Sequence, residues 1–205
     1  MEQNRDDFYM TLSKPSEEGV YKEKGSKFLA FAYPLSDPDQ VAELIQSLKK
    51  AHPKARHWCY AWQVGVENPI FRTSDDGEPN NSAGKPIYGQ IQSFGLTNLL
   101  IVVVRYFGGT KLGVGGLIVA YRSAAKFALE NAQLVEKILT KELSLQFDYV
   151  NMDKVMRLIK ENAITIRSQK MELNCFFIIS MRKSELERIV KLFEGLRCVE
   201  VKKIN

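Results

Sequence analysis

The chain has 205 residues, 45% hydrophobic and 26% charged, with 29 Lys+Arg against 24 Asp+Glu for a net charge of +5. That composition supports a packed core and excludes a disordered chain, while the mild basic bias permits an anionic partner. Apolar runs of about eight residues are too short for a membrane helix, the polar start Met1–Asp7 has no signal-peptide core, and Cys59, Cys175 and Cys198 make neither a disulfide framework nor a zinc knuckle, so a cytoplasmic protein is expected.

Residues 19–34 read as extended structure with a turn at Lys24-Gly25. Asp37 and Pro38 then start a helix, as N-cap and first helical residue. Its apolar stripe is Val41, Leu44, Ile45 and Leu48, the i, i+3, i+4, i+7 spacing. Residues 57–64 form a strand, and a turn-rich segment, 65–86, follows. Ile87, Ile91 and Phe94 mark a helix, and the β-branched run 99–104 reads as a strand buried on both faces. A glycine-rich loop, 108–116, leads into a helix bearing Ile118, Tyr121, Ala125 and Leu129.

The character changes near Val135. Leu143, Leu145, Phe147 and Tyr149 alternate with polar residues, as in a half-exposed strand. A helix with Met152, Val155, Met156 and Ile159 comes next, then strands at 164–169 and 171–181. Ser184 and Glu187 read as a capping box for a helix with Leu186, Ile189, Val190 and Phe193, and a last strand holds Val199 and Val201. The order βαββαβ predicts a ferredoxin-like domain. The expected organisation is therefore α+β in two domains, 1–135 and 136–205. The first carries 15 basic and 14 acidic residues, the second 14 and 10.

The local charge pattern is sharper. Residues 79–129 contain no Asp or Glu but hold Lys85, Arg105, Lys111, Arg122, Lys126 and eight of the 13 glycines. Within this stretch Gly108, Gly109, Gly113, Gly115 and Gly116 lie between a buried strand and a helix start, flanked by Arg105 and Lys111. Glycine N–H groups and a helix N-terminus together suit an anion. The spacing matches neither a Walker A loop nor a dinucleotide fingerprint, because Val114 and Ile118 stand where those motifs need Lys and Gly. A tight packing turn is the alternative.

Asp75, Asp76 and Glu78 place three carboxylates in four residues, open to a reading as a divalent-cation site, an acid/base set, or a salt-bridge cluster against Arg105 or Lys85. His57 and Cys59 share one strand face, an unfavourable geometry for a nucleophile pair. Trp58, Tyr60 and Trp62 share the other, as a stacking platform or as core.

Arg56-His57, Ser74 to Pro79, Ala83 to Pro86, and Val102-Val103-Val104-Arg105-Tyr106-Phe107-Gly108-Gly109 onward through Lys111 to Tyr121 together resemble the signature of the YigZ/IMPACT family. The resemblance covers roughly 18–130. It implies that the first domain has the fold shared by a ribosomal small-subunit protein, elongation factor G domain IV and small-molecule kinases of the GHMP class. The second would resemble elongation factor G domain V. It also implies relatives in eukaryotes that regulate translation through a further domain this chain lacks. The expected function is that of a non-enzymatic, translation-associated regulator. It would bind RNA or the ribosome through a basic surface of Arg56, His57, Lys85, Arg105, Tyr106, Lys111 and the loop glycines, with no cofactor, metal or membrane. The competing expectation is a small-molecule enzyme binding a phosphate ligand at the same loop, with Asp75, Asp76 or Glu78 as its acids.

Overall fold

The computed structural model describes residues 7–204. The chain divides into two compact units, Tyr9–Lys137 and Ile138–Asn205, the latter joined by the chain start through Phe8.

The larger unit is built on a five-stranded, wholly antiparallel sheet of β2 (Gly19–Glu23), β3 (Ser26–Pro34), β4 (His57–Val64), β5 (Ile70–Ser74) and β6 (Leu99–Tyr106), in the order β2-β3-β6-β4-β5. The run 99–104 takes the central position, which explains its unbroken apolar character. Side chains alternate across a strand, so Leu99, Ile101 and Val103 enter one core and Leu100, Val102 and Val104 the other. The first core is closed by α2 (Gly84–Ser93) and α3 (Gly113–Glu130). The second is closed by α1 (Gln40–Ala51). On α3 the buried residues Leu117, Ala120, Tyr121, Ala124, Ala125, Ala128 and Leu129 follow helical spacing, and the alanines let the helix lie close to the sheet. At Gly19 of β2 a Cβ would lie 2.9 Å from the backbone nitrogen of Ala128.

Three local features differ from the sequence reading. The segment 65–86 contains the edge strand β5. Its outer residues Ile70, Phe71 and Arg72 are all exposed, so no apolar alternation announces it. A short strand pair, β1 (Phe8–Leu12) with β7 (Leu134–Ile138), also lacks a strong pattern. Helix α1 starts two residues later than Pro38. Asp37 instead accepts a hydrogen bond from the Asp39 amide at 2.9 Å, forming a turn that leads into the helix.

The second unit runs β8 (Thr140–Asp148), α4 (Met152–Glu161), β9 (Thr165–Lys170), β10 (Asn174–Arg182), α5 (Leu186–Glu194) and β11 (Val199–Ile204). Its four antiparallel strands lie in the order β11-β8-β10-β9, consistent with a ferredoxin-like arrangement. Leu143, Leu145, Phe147, Cys175, Phe177 and Ile179 pack one face against Val155 and Ile159 of α4 and Ile189, Val190 and Phe193 of α5. Ser184 does not form the expected capping box with Glu187. Its amide and hydroxyl both donate to the buried carboxylate of Asp7.

Candidate anion and nucleic-acid interface

The acidic segment follows β5 as a tight turn. Asp76 has φ +40° and Gly77 φ +85°, and the Glu78 amide donates to the Asp75 carbonyl at 2.9 Å, the geometry that Asp-Gly favours. Each acid in it has structural partners. Asp75 accepts from the amides of Ala83 and Gly84 with one oxygen, at 2.9 and 2.8 Å, and from Asn81 with the other at 2.8 Å. It therefore holds the start of α2, a carboxylate against free helix N–H groups. Asp76 accepts from the Trp58 amide at 2.7 Å. Its carbonyl lies 2.8 Å from Nδ1 of His57. A carbonyl only accepts, so Nδ1 carries the proton and Nε2 is left as an acceptor.

Glu78 and Arg105 are both buried, at 9% and 5% exposure. Oε1 of Glu78 accepts from Nη1 of Arg105 at 2.6 Å and from the Tyr121 hydroxyl at 2.8 Å. The salt-bridge reading of the acids thus holds for Glu78, and the guanidinium presents no charge to solvent. It lies 5.4 Å from the Phe28 ring and 5.6 Å from the Phe107 ring, and Nη2 donates to the Ser26 hydroxyl at 3.4 Å. Its Nε is buried without a partner.

Sequence reasoning missed Tyr121 and Ser26 as members of this network. Tyr121 reads as one more apolar position on α3, and nothing local links it to Glu78, 43 residues away. The Cys59 thiol lies 2.9 Å from the Asp75 carbonyl and 3.3 Å from the Tyr121 oxygen. Burial pushes both the thiol and the phenol well above their ordinary pKa values, with Glu78 adding to each shift. Cys59 is therefore held protonated, the opposite of an activated nucleophile. Among the described residues no group of three or more His, Cys, Asp or Glu is placed to hold a metal.

The glycine loop divides into an anchored end and an open end. At Gly108 a Cβ would sit 1.9 Å from the carbonyl carbon of Gly25, in the β2–β3 turn, and the Gly108 amide donates to Ser26 at 3.2 Å. This end is a packing turn. Beyond it Gly109, Thr110, Lys111, Gly113, Val114 and Gly115 are exposed. Gly109 and Gly113 have φ of +88° and +71°, and a Cβ at Gly109, Gly113 or Gly115 would meet nothing within 4 Å. Helix α3 starts there with no side-chain cap and no acid in its first turn. Its first N–H groups and partial positive charge face an open backbone, beside Lys111.

The remaining site residues fall around this core. Arg56 and Lys85 are exposed, His57 and Tyr106 half-buried. The Tyr106 hydroxyl lies 2.9 Å from Nδ1 of His52. The Trp58, Tyr60 and Trp62 side chains pack with the α1 core, Trp62 being buried and the other two partly so.

The Impact N-terminal domain family matches residues 24–129, which contain the turn, the ion pair, the loop and α3. The chain belongs to the IMPACT family. It is 33% identical to IMPACT family member YvyE of Bacillus subtilis over 159 residues, covering 78% of this chain and 73% of that protein. To IMPACT family member YigZ of Escherichia coli it is 34% identical over 138 residues, covering 66% and 68%. A crystal structure of a hypothetical protein matches 97% of this chain and 98% of its own, with a TM-score of 0.75 and 27% identity. Among more distant members is a solved structure described as the two-domain translational regulator Yih1, matched over 58% of this chain and 46% of that one at 23% identity and a TM-score of 0.37. No helix among the described residues is long and apolar enough to cross a membrane.

Proposed function

We infer that the protein is a non-enzymatic, translation-associated regulator that contacts RNA or the ribosome through the surface at the start of α3. The observation that carries this reading is the exposed, acid-free segment 109–115, where open backbone N–H groups, a helix N-terminus and Lys111 share one loop. Such a surface favours phosphate oxygens in any sequence context, as a backbone-positioning contact requires. Lys85 and Arg56 add exposed charge on the same unit. Arg105 supports the surface from beneath and is a scaffold rather than a contact. The non-enzymatic part of the reading draws support from the carboxylates of Asp75 and Glu78, each engaged by two or more donors within the fold. The fold relationship to a ribosomal protein and elongation factor G, implied by the family resemblance, points the same way by analogy.

Co-sedimentation with ribosomes tests it. Lys111→Glu is expected to shift the protein from the pelleted to the free fraction with its thermal melt unchanged. Equal pelleting of variant and parent would overturn the reading.

A further inference from the structure

Helices α4 and α5 both pack on one face of the C-terminal sheet, through the odd-numbered residues of β8 and β10. The even-numbered residues form the opposite face, and no helix of this unit covers it. At its centre stands Phe176, 41% exposed on the inner strand β10. An exposed phenyl ring in mid-sheet is a cost for a domain that already has a complete core on the other side.

The register shows what surrounds the ring. Phe176 pairs with Lys170 on β9 and with Gln146 on β8. The next outward residue, Ile178, pairs with Ser144, and Ser144 in turn pairs with Lys202 on β11. The face therefore carries an aromatic and aliphatic strip, amide and hydroxyl groups beside it, and a lysine toward each edge. Both lysines are in exposed ion pairs, Lys170 with Glu172 at 3.1 Å and Lys202 with Glu200 at 2.8 Å. Exposed pairs of this kind are weak and screened, so either lysine can exchange its carboxylate for a phosphate. Residues 136–205 as a whole carry 14 basic against 10 acidic side chains.

We propose that this open sheet face binds single-stranded RNA, with Phe176 as the base-stacking ring and Lys170 and Lys202 as phosphate contacts. A four-stranded sheet with exposed aromatics on its inner strands is a known way to hold unpaired bases, because every base has a face to stack. Gln146 and Ser144 lie where base edges would reach the sheet. The choice of RNA as ligand rests on the proposed function above, but the surface is different and involves none of the loop residues.

The experiment is fluorescence anisotropy of the full chain with a short fluorescein-labelled oligouridine. The variants are Phe176→Ala, Phe176→Tyr, the double variant Lys170→Ala/Lys202→Ala, and Lys111→Ala. Loss of one stacked ring is expected to weaken binding about 5- to 150-fold in Phe176→Ala. Phe176→Tyr retains binding, and the lysine pair flattens the dependence of log K on log salt by about two. These positions are exposed, so the melts stay unchanged. If Phe176→Ala falls and Lys111→Ala does not, the loop reading fails and this one stands. If Phe176→Ala binds like the parent, the face is not the site, whatever the loop does. If oligouridine does not bind at all, as when the face docks a protein, the proposal is overturned.

Discussion

Oε1 of Glu78 lies 2.6 Å from Nη1 of Arg105, with both side chains buried beneath the glycine loop. A buried ion pair is hard to break from one side, because the survivor keeps its charge without a partner. Removal of one member costs about 3–5 kcal/mol in such settings. Arg105→Ala and Glu78→Ala are each expected to lose that much in urea unfolding. The double variant Glu78→Leu/Arg105→Met loses less than the sum, since no orphaned charge remains. Additive losses would show that the two groups are not coupled.

The glycines of the loop are expected to respond in opposite directions. Gly108→Ala places a methyl 1.9 Å from the Gly25 carbonyl carbon, so one of the two turns must move, and the melting temperature falls. Gly115 lies in the first turn of α3 with nothing within 4 Å of its added Cβ. Gly115→Ala therefore gains up to about 1 kcal/mol from helix propensity. Differential scanning calorimetry of the two variants checks the sign of each change.

These contrasts show what was legible in the residues alone. The strand 99–106, the βαββαβ order and the spacing on α3 were readable because each buries a face with its own period. Strand β5 was not, because its outer residues face water. The acids could be seen as a cluster, but their roles could not. Asp75 finds its partners six to nine residues on, at Asn81, Ala83 and Gly84, while Glu78 meets a base 27 residues away and a tyrosine 43 away. Arg105 read as a surface cation because a charge at a strand end normally is one. Only tertiary pairing buries it.

Burial raises the pKa of Cys59 above its ordinary 9.0 and that of Tyr121 above its ordinary 10.0. Folding thus favours the protonated form of each. Their contribution to stability is complete below about pH 9 and declines above it, as the unfolded thiol and then the unfolded phenol ionise while the native groups do not. Each group adds a slope of up to about 1.4 kcal/mol per pH unit. Urea midpoints measured from pH 8 upward should fall, and Tyr121→Phe should fall less steeply than the parent above pH 10.

The same burial orders the thiols by reactivity. Cys198 is half-buried, whereas Cys59 and Cys175 are buried. A disulfide reagent at neutral pH is expected to modify Cys198 first, and the other two at the rate of unfolding. Prompt modification of Cys59 would contradict the closed network around Tyr121.

Asp7 is 2% exposed and accepts from the Ser184 amide at 2.8 Å and from its hydroxyl, just before α5. This is a helix cap supplied from 177 residues away. Asp7→Ala should cost about 0.5–2 kcal/mol, read as earlier loss of amide-exchange protection in α5. Unchanged protection there would show that the cap carries no stability.

The most direct test of the loop surface is the salt dependence of structured-RNA affinity for the parent and Lys111→Ala, measured by anisotropy. A phosphate contact at Lys111 weakens binding uniformly across sequences and lowers the slope of log K against log salt by about one. An unchanged slope and affinity in Lys111→Ala would contradict phosphate binding at the start of α3.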